Sequence, residues 1–378
     1  MSIILTLNAG SSSIKFGVYE AAPEPVLLQV GQVENLGPTA RLCLKGRDAV
    51  EIGPADHASA LPAILQAVKP VIDGKPLVGV GHRIVHGGKN FAEPLILSEE
   101  VLTQLAALEP LAPLHQPHNL RTVRAAQEAF PGVPQIGCFD TAFHVGHPFV
   151  NDTFAIPRRF YEKGVRRYGF HGLSYDYITS HLRKAYPELA KGKVVVVHLG
   201  NGASMCAIEN GQSIGSTMGF SALDGLPMGT RSGQLDPGVL LYLMEQGFSR
   251  EAITHILYKE SGLKGLSGIS HDMRTLLASD DPRAQEAIDY YVFRIRRELG
   301  AMAAILGGLD ALVFCGGIGE NAAPIRAQVL KDMEFLGLHL DEEANVQNGP
   351  LISTGPVEAL VIPTDEERII ARAVARLT

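Results

Sequence analysis

Residues 3 to 19, IILTLNAGSSSIKFGVY, set two apolar, β-branched runs on either side of a short polar turn. Runs of this kind around Gly and small residues predict a β-hairpin. The turn, Asn8 to Ser13, is rich in backbone N–H groups and hydroxyls and has no bulky side chain, which suits close approach to phosphate oxygens. An ordinary Ser-rich turn has the same composition. Residues 193 to 208, KVVVVHLGNGASMCAI, repeat the pattern, with Leu199 matching Leu7, Gly202 matching Gly10 and Ser204 matching Ser12. Two such hairpins, each opening one half of the chain, predict a duplicated α/β fold with a nucleotide in the cleft between the halves.

The length of 378 residues exceeds one ordinary core and predicts two domains. With 46% hydrophobic and 19% charged residues the chain is globular rather than disordered. A net charge of -7 argues against a nucleic-acid surface, which needs a basic stripe. Cys43, Cys138, Cys206 and Cys315 are widely spaced and form no C-x-x-C pair, so neither a zinc knuckle nor a disulfide framework is predicted. A reducing cytoplasm follows. The start, MSIILTLNAG, has no basic n-region and does not read as a signal peptide. The most apolar later stretch, 301 to 317, is broken by Asp310 and glycines, so no membrane span is predicted.

Strands are predicted over 26–52, a helix over 58–68, and a strand over 77–88, LVGVGHRIVHGG. Alternation along that strand places Arg83 and Val85 on one face and His82, Ile84 and His86 on the other. A guanidinium beside a small apolar surface can seat a short carboxylate with an alkyl tail; a surface ion pair is the plainer role. Helices are expected over 98–108 and 120–129, flanking the loop LAPLHQPHN. The strand in VPQIGCFDTAFH ends at Asp140, where ligands collect in open α/β sheets. Turn or cap duty is the alternative for this Asp. Residues 145–167 are irregular and mark the domain switch. His171 lies between glycines at a helix start, able to donate to an anion or to serve as a capping or core histidine.

The Gly-dense loop 213–238 carries Arg231, and a long loop inside a domain points to function. Helices are predicted over 237–246, 249–260 and 282–308. Between them SGISHDMR holds Asp272 and Arg274: an Arg to stack on adenine and an Asp for a ribose hydroxyl, or a capping Asp with its ion-paired Arg. Residues 310–333 are predicted as strand, GGIGEN turn and helix. The turn lets a ligand approach the backbone, but it is not the dinucleotide-binding pattern, and no G-x-x-x-x-G-K-[ST] loop is present. At the end, Thr364 and Glu367 are expected as a capping box, and Glu366 as a first-turn acid or a magnesium or magnesium-water ligand.

Together, NAGSSSIK (8–15), GHRIVHGG (81–88), LAPLHQPHN (111–119), FDTAFH (139–144), RRYGFHG (166–172), HLGNGAS (198–204), MGTRSG (228–233), DMR (272–274), GGIGEN (316–321) and PTDEE (363–367) resemble the acetate kinase family, whose acetokinase branch also holds propionate and butyrate kinases. The resemblance spans essentially the whole chain. It implies two duplicated ribonuclease H-like domains of the actin, Hsp70 and sugar-kinase type with a central active-site cleft. The N-terminal domain would comprise 1–148 plus 366–378 and the nucleotide-binding domain 149–365. It also implies a homodimer, and reversible transfer of the γ-phosphoryl of ATP to acetate, giving acetyl phosphate and ADP, with magnesium or manganese.

Carried onto this sequence, the resemblance makes Asn8 and Glu366 metal-site residues and Lys15 an ATP-side cation. Arg83 becomes the carboxylate clamp. Val85, Leu114, Phe170 and Ala222 form the acyl box. Asp140, His171 and Arg231 become the catalytic residues, Asp140 orienting magnesium waters or Arg231. His198, Leu199, Gly200, Asn201 and Gly202, with Asp272, Met273 and Arg274 and with Gly317, Ile318, Gly319, Glu320 and Asn321, form the nucleotide cradle. The family often has Pro where Ala222 stands and Asn where Asp365 stands, so the box is expected to be roomier and the metal site more negative. Three other readings compete. One is a propionate or butyrate kinase on the same scaffold. The second is a metal-dependent hydrolase built on His82, His86, His115, His118, Asp140, His144 and His171. The third is a non-catalytic ATP-binding module, which would not need Arg83, Asp140, His171 and Arg231.

Overall fold

Strand β1 (Ile3–Ala9) shows how the chain places its polar groups. Alternation sends Ile3, Leu5 and Leu7 into an apolar layer with Phe16, Val18, Ile64 and Val68. Asn8 falls on the opposite face, toward helix Glu366–Leu377, whose Glu366 it meets. The computed structural model describes residues 1–10, 13–113 and 115–378. Ser11 and Ser12 of the first turn, and Leu114 of the acyl box, lie outside the described residues.

Two units make up the chain: Met1–Phe143 with Asp365–Thr378, and His144–Thr364. In the first, β1 pairs antiparallel with β2 (Ile14–Glu20), and β2 antiparallel with β3 (Val26–Glu34). Strands β4 (Gly37–Leu44) and β5 (Val50–Ala55) extend that edge. On the other side of β1 lie β6 (Leu77–Ile84), β7 (Leu95–Ile96) and β8 (Gln135–Phe139). The sheet order is β5-β4-β3-β2-β1-β6-β8-β7, with β1, β6 and β8 parallel. The last helix packs on β1 and β6 because the sheet is glycine-lined there. A Cβ on Gly81 would lie 2.3 Å from Ile370 Cγ2, and one on Gly79 2.6 Å from Val374 Cγ1.

In the second unit β9 (Lys193–Leu199) pairs antiparallel with β10 (Ala203–Glu209), and β10 with β11 (Gln212–Ser216). Strand β12 (Ala311–Cys315) runs parallel to β9, and β13 (Glu358–Val361) parallel to β12. The order β11-β10-β9-β12-β13 repeats β3-β2-β1-β6-β8, strand direction included. The repeat between residues 3–19 and 193–208 is thus the first hairpin of each copy of a ribonuclease H-like unit, the α/β fold of the actin, Hsp70 and sugar-kinase type. Helix Pro282–Leu306 packs across β9 to β11.

Several local expectations need correction. The GGIGEN segment is helical, Gly316–Asn321, rather than a turn. Gly316, at φ +75°, turns the chain against the Leu199 backbone, and the Glu320 carboxylate accepts from Gly316 N–H at 2.9 Å, closing the helical turn. The cap of the last helix is Asp365, which accepts from Arg368 N–H at 3.0 Å, not Thr364. Thr364 instead shares a hydrogen bond with Ser174, and Glu367 receives one from Asn8. The strand over 77–88 ends at Ile84, so Val85 and His86 lie beyond it. Their N–H groups are held by Asn119 and Gln116. The helix over 249–260 is α only over Arg250–His255 and continues as a π turn, Ile256–Glu260.

Candidate active site

The carboxyl ends of three parallel strands in the first unit deliver Asn8 (β1), Arg83 (β6) and, one residue past β8, Asp140. That is where an open α/β sheet exposes its ligand groups. Arg83 grips Asp140 with a forked pair: Nε donates to both carboxylate oxygens at 3.0 Å and Nη2 to Oδ2 at 2.6 Å. Its Nη1 donates to Asn8 Oδ1 at 3.2 Å. Asn8 turns its amide nitrogen to Glu366 and Glu367, donating to each at 2.9 Å. Among the described residues this leaves one N–H on Nη1 and one on Nη2 of Arg83 for a further acceptor.

Burial works against this charge cluster, and the charges answer it. Desolvation pulls the Arg83 pKa down, but the carboxylates of Asp140 and Glu366 more than offset it, and the group ends well above its ordinary value. Burial raises the Asp140 carboxyl, against the pull of the Arg83 charge and its hydrogen bonds. Burial, with Glu366 alongside, raises Glu367 against the pull of Lys15 and Asn8. Lys15 is exposed on β2, in register with Asn8, and its charge acts on Glu367. Val85 is buried, and Asn119 ties it to the first turn, accepting from Val85 N–H and donating to Ala9 carbonyl, each at 2.9 Å.

In the second unit His171 opens helix Gly172–Ala185 with a left-handed backbone, φ 57°. Its Nδ1 meets Ser204 Oγ at 2.8 Å, its ring stacks on His198 at 4.3 Å, and Ser204 also holds Tyr175. A Cβ on Gly202 would lie 3.2 Å from His171 Nε2 and 3.9 Å from Arg231 Nη1. The second hairpin turn therefore runs against both side chains, and Gly202 gives them room. Arg231 Nη1 donates to the Ala222 carbonyl at 3.2 Å. Phe170 is buried beside His171 in sequence.

A cavity of about 540 Å³ opens at the carboxyl ends of β9 and β12. Gly200, Asn201, Asp272, Met273, Arg274, Gly317, Ile318 and Asn321, eight of the residues that the resemblance assigns to the nucleotide cradle, line it. His271, Leu277, Ala322 and Pro324 also line it and were not foreseen. Asp272 caps helix Met273–Leu277 and pairs with Arg274 at 2.6 Å, so the plain structural role holds for this pair alongside its place on the wall. That Arg274 side chain is 91% exposed. His198, Leu199, Gly202, Gly319 and Glu320 are not on the lining. Leu199 is core, and Glu320 spends its carboxylate on the Gly316 and Thr364 N–H groups. Glu367, Asn119, Ser204 and Tyr175 support the site and were missed; Asn119 stands within LAPLHQPHN, where its motif could have flagged it.

A duplicated ribonuclease H-like fold, with a guanidinium–carboxylate cluster on one copy and a backbone-walled cavity on the other, is the layout of a nucleotide-using kinase. The Acetokinase family profile matches residues 3–372. The acetate kinase of Methylocella silvestris is 54% identical, covering 98% of this chain and 96% of its own. Among solved structures, Porphyromonas gingivalis acetate kinase superposes with a TM-score of 0.87 at 39% identity, over 98% of each chain. A propionate kinase from Francisella tularensis superposes with a TM-score of 0.93 at 35% identity, over 100% of each. The chain belongs to the acetokinase family.

Proposed function

We propose that this chain is an acetate kinase that transfers the γ-phosphoryl of ATP in line to acetate, reversibly, giving acetyl phosphate and ADP. The observation that carries the reading is Arg83, held by Asp140 and keeping two N–H groups for a further acceptor, two residues before the buried Val85. These two N–H groups match a carboxylate, and the buried Val85 supplies an apolar wall for one methyl group. Acetate is already anionic, so no strong base is required, and Asp140 serves to orient Arg83. His171 and Arg231, both against Gly202, supply donors for the equatorial oxygens of the phosphoryl group. Phosphoryl transfer asks mainly for such positioning and charge neutralisation. The 540 Å³ cavity takes the nucleotide, with Arg274 and Ile318 against its base.

Asn8 and Glu366 fit magnesium, or manganese in its place, because they offer only hard oxygen donors. Among the described residues no group of three or more His, Cys, Asp or Glu is disposed to hold a metal. A pair of protein ligands with waters and phosphate oxygens is the usual magnesium arrangement. Bound there, the ion neutralises phosphate charge.

A homodimer is supported by helix Pro237–Glu245, PGVLLYLME, which buries no residue within the chain. Leu241, Tyr242 and Met244 are 62%, 58% and 56% exposed, an apolar face that a second copy would cover. A cytoplasmic location accords with four free thiols, and among the described residues no helix is long and apolar enough to cross a membrane.

The test traps acyl phosphate with hydroxylamine across acids of increasing chain length. Acetate should give the highest kcat/KM, with propionate poorer, since one methylene discriminates by about 1–3 kcal/mol. A higher kcat/KM for propionate would favour a propionate kinase, the assignment of the Francisella relative, and no hydroxamate with any acid would sink both.

A further inference from the structure

Behind Phe170 and His171 lies a buried chain of hydrogen bonds that the proposed reaction does not use. His144 Nε2 meets the Phe170 carbonyl at 2.9 Å, and its Nδ1 meets Ser213 Oγ at 2.8 Å. His147 Nε2 meets the same hydroxyl at 2.7 Å. The proton positions follow from donor arithmetic. A carbonyl only accepts, so His144 carries its proton on Nε2 and its Nδ1 accepts from Ser213. The Ser213 proton is then spent, so His147 Nε2–H donates to Ser213. Burial holds both rings neutral, pulling His144 down to about 3 and His147 to about 4.

Around this chain, Cys206 Sγ lies 3.1 Å from Ser213 Oγ, Tyr175 sets an edge-on ring 5.6 Å from His144, and the charge of Asp152, which Arg166 and Tyr161 engage, acts on His147. The His144 ring also lies on the backbone it holds. A Cβ on Gly169 would be 2.5 Å from the ring, and Gly169 itself has φ +74°. Two residues on, His171 adopts a left-handed backbone that non-Gly residues rarely take. Such a conformation persists where its surroundings over-determine it. Here the surroundings are His144 on the Phe170 carbonyl and Ser204 on the His171 ring.

We propose that His144, fixed through Ser213 by His147, is a positioning residue that holds the Phe170–His171 backbone so that His171 Nε2 faces the transferring phosphoryl group. The proposal rests on the reading of His171 as a phosphoryl-transfer residue. It assigns a use to FDTAFH beyond Asp140, and it makes the His–Ser–His chain part of turnover rather than of packing alone.

Steady-state kinetics on the whole protein tests it. His144→Leu removes the donor and keeps most of the bulk; His144→Gln restores an N–H near the Nε2 position. The Leu variant should lose about fivefold to tenfold in kcat, the scale of one hydrogen bond, with the ATP KM within twofold. The Gln variant should recover most of that loss. In a His171→Ala background, His144→Leu should cost nothing further, since two residues acting as one unit are not additive. Should His144→Leu fail to fold, Ser213→Ala carries the same comparison, with a smaller loss in the same direction. Wild-type kcat in the Leu and Ser213→Ala variants, an equal loss in Leu and Gln, or a full additive loss in the His171→Ala background would overturn the positioning role. Wild-type kcat in His171→Ala alone would instead overturn the reading on which it rests.

Discussion

The carboxyl ends of β1, β6 and β8 carry Asn8, Arg83 and Asp140, whereas the matching ends of β9 and β12 run into Gly200 and Gly316. The strand order is the same, yet the two units line those strand ends with different groups. The first uses charged side chains locked to one another, Arg83 on Asp140 and on Asn8, Asn8 on Glu366 and Glu367. The second carries backbone walls, the stacked rings of His171 and His198, and the guanidinium groups of Arg231 beside Gly202 and Arg274 on the cavity wall. A duplicated scaffold therefore fixes where strand ends point but not what they bind. The first surface should be sensitive to the loss of any one charge, the second to the loss of Arg231, the cation beside Gly202.

The largest effect expected is from Arg231→Ala. If the second unit relies on that guanidinium, kcat should fall on the order of a hundredfold to a thousandfold, the scale of a lost transition-state donor. A loss below about tenfold would shift the role to His171 and blur the contrast. Next is Asp140→Asn, which leaves Arg83 without its forked counter-charge while Asp140 is 1% and Arg83 16% exposed. Stability in urea should drop by about 3 kcal/mol, the cost of breaking a buried pair. No change in the urea midpoint would mean that the cluster is not coupled.

A smaller effect is shared by the two units. Burial holds His82 near 4 in the first unit, as it holds His144 near 3 and His147 near 4 in the second. Each folded value lies below the unfolded one of about 6.5. As pH falls through about 6.5 the unfolded chain takes up protons that the native one refuses, so stability declines until the folded values are reached. Above that range these rings add no slope. Thermal unfolding followed between pH 7 and pH 4 should show the decline, and His82→Gln should flatten it by one proton's worth. An unchanged slope in that variant would remove His82 from the account.

The sequence discloses the two hairpins because their β-branched runs and Gly turns are local signals, and it singles out Asn8 and Asp140 because each stands where a predicted strand stops, and Arg83 because alternation along a predicted strand sets it on one face with Val85. The partner of Asn8 was hidden for a physical reason. Thr364 and Glu367 have the spacing of a capping box, and only the tertiary placement of the last helix, close against Gly79 and Gly81, turns Glu367 toward a residue 359 positions away. The helix Gly316–Asn321 was hidden likewise. Its glycines have poor intrinsic helicity, and it is held by Gly316 against Leu199 and by Glu320 folding back. His271 and Leu277 on the cavity wall left no signal beyond adjacency to Asp272 and Arg274.

The division of labour between a charged acceptor surface and a backbone-walled nucleotide surface meets its most direct test in Arg83→Ala, with the KM values for acetate and ATP measured side by side. The acetate KM should rise at least about tenfold, the scale of a lost charge-assisted hydrogen bond, with kcat reduced and the ATP KM within twofold of wild type. An acetate KM that stays put, or an ATP KM that rises as far as the acetate KM, would contradict it.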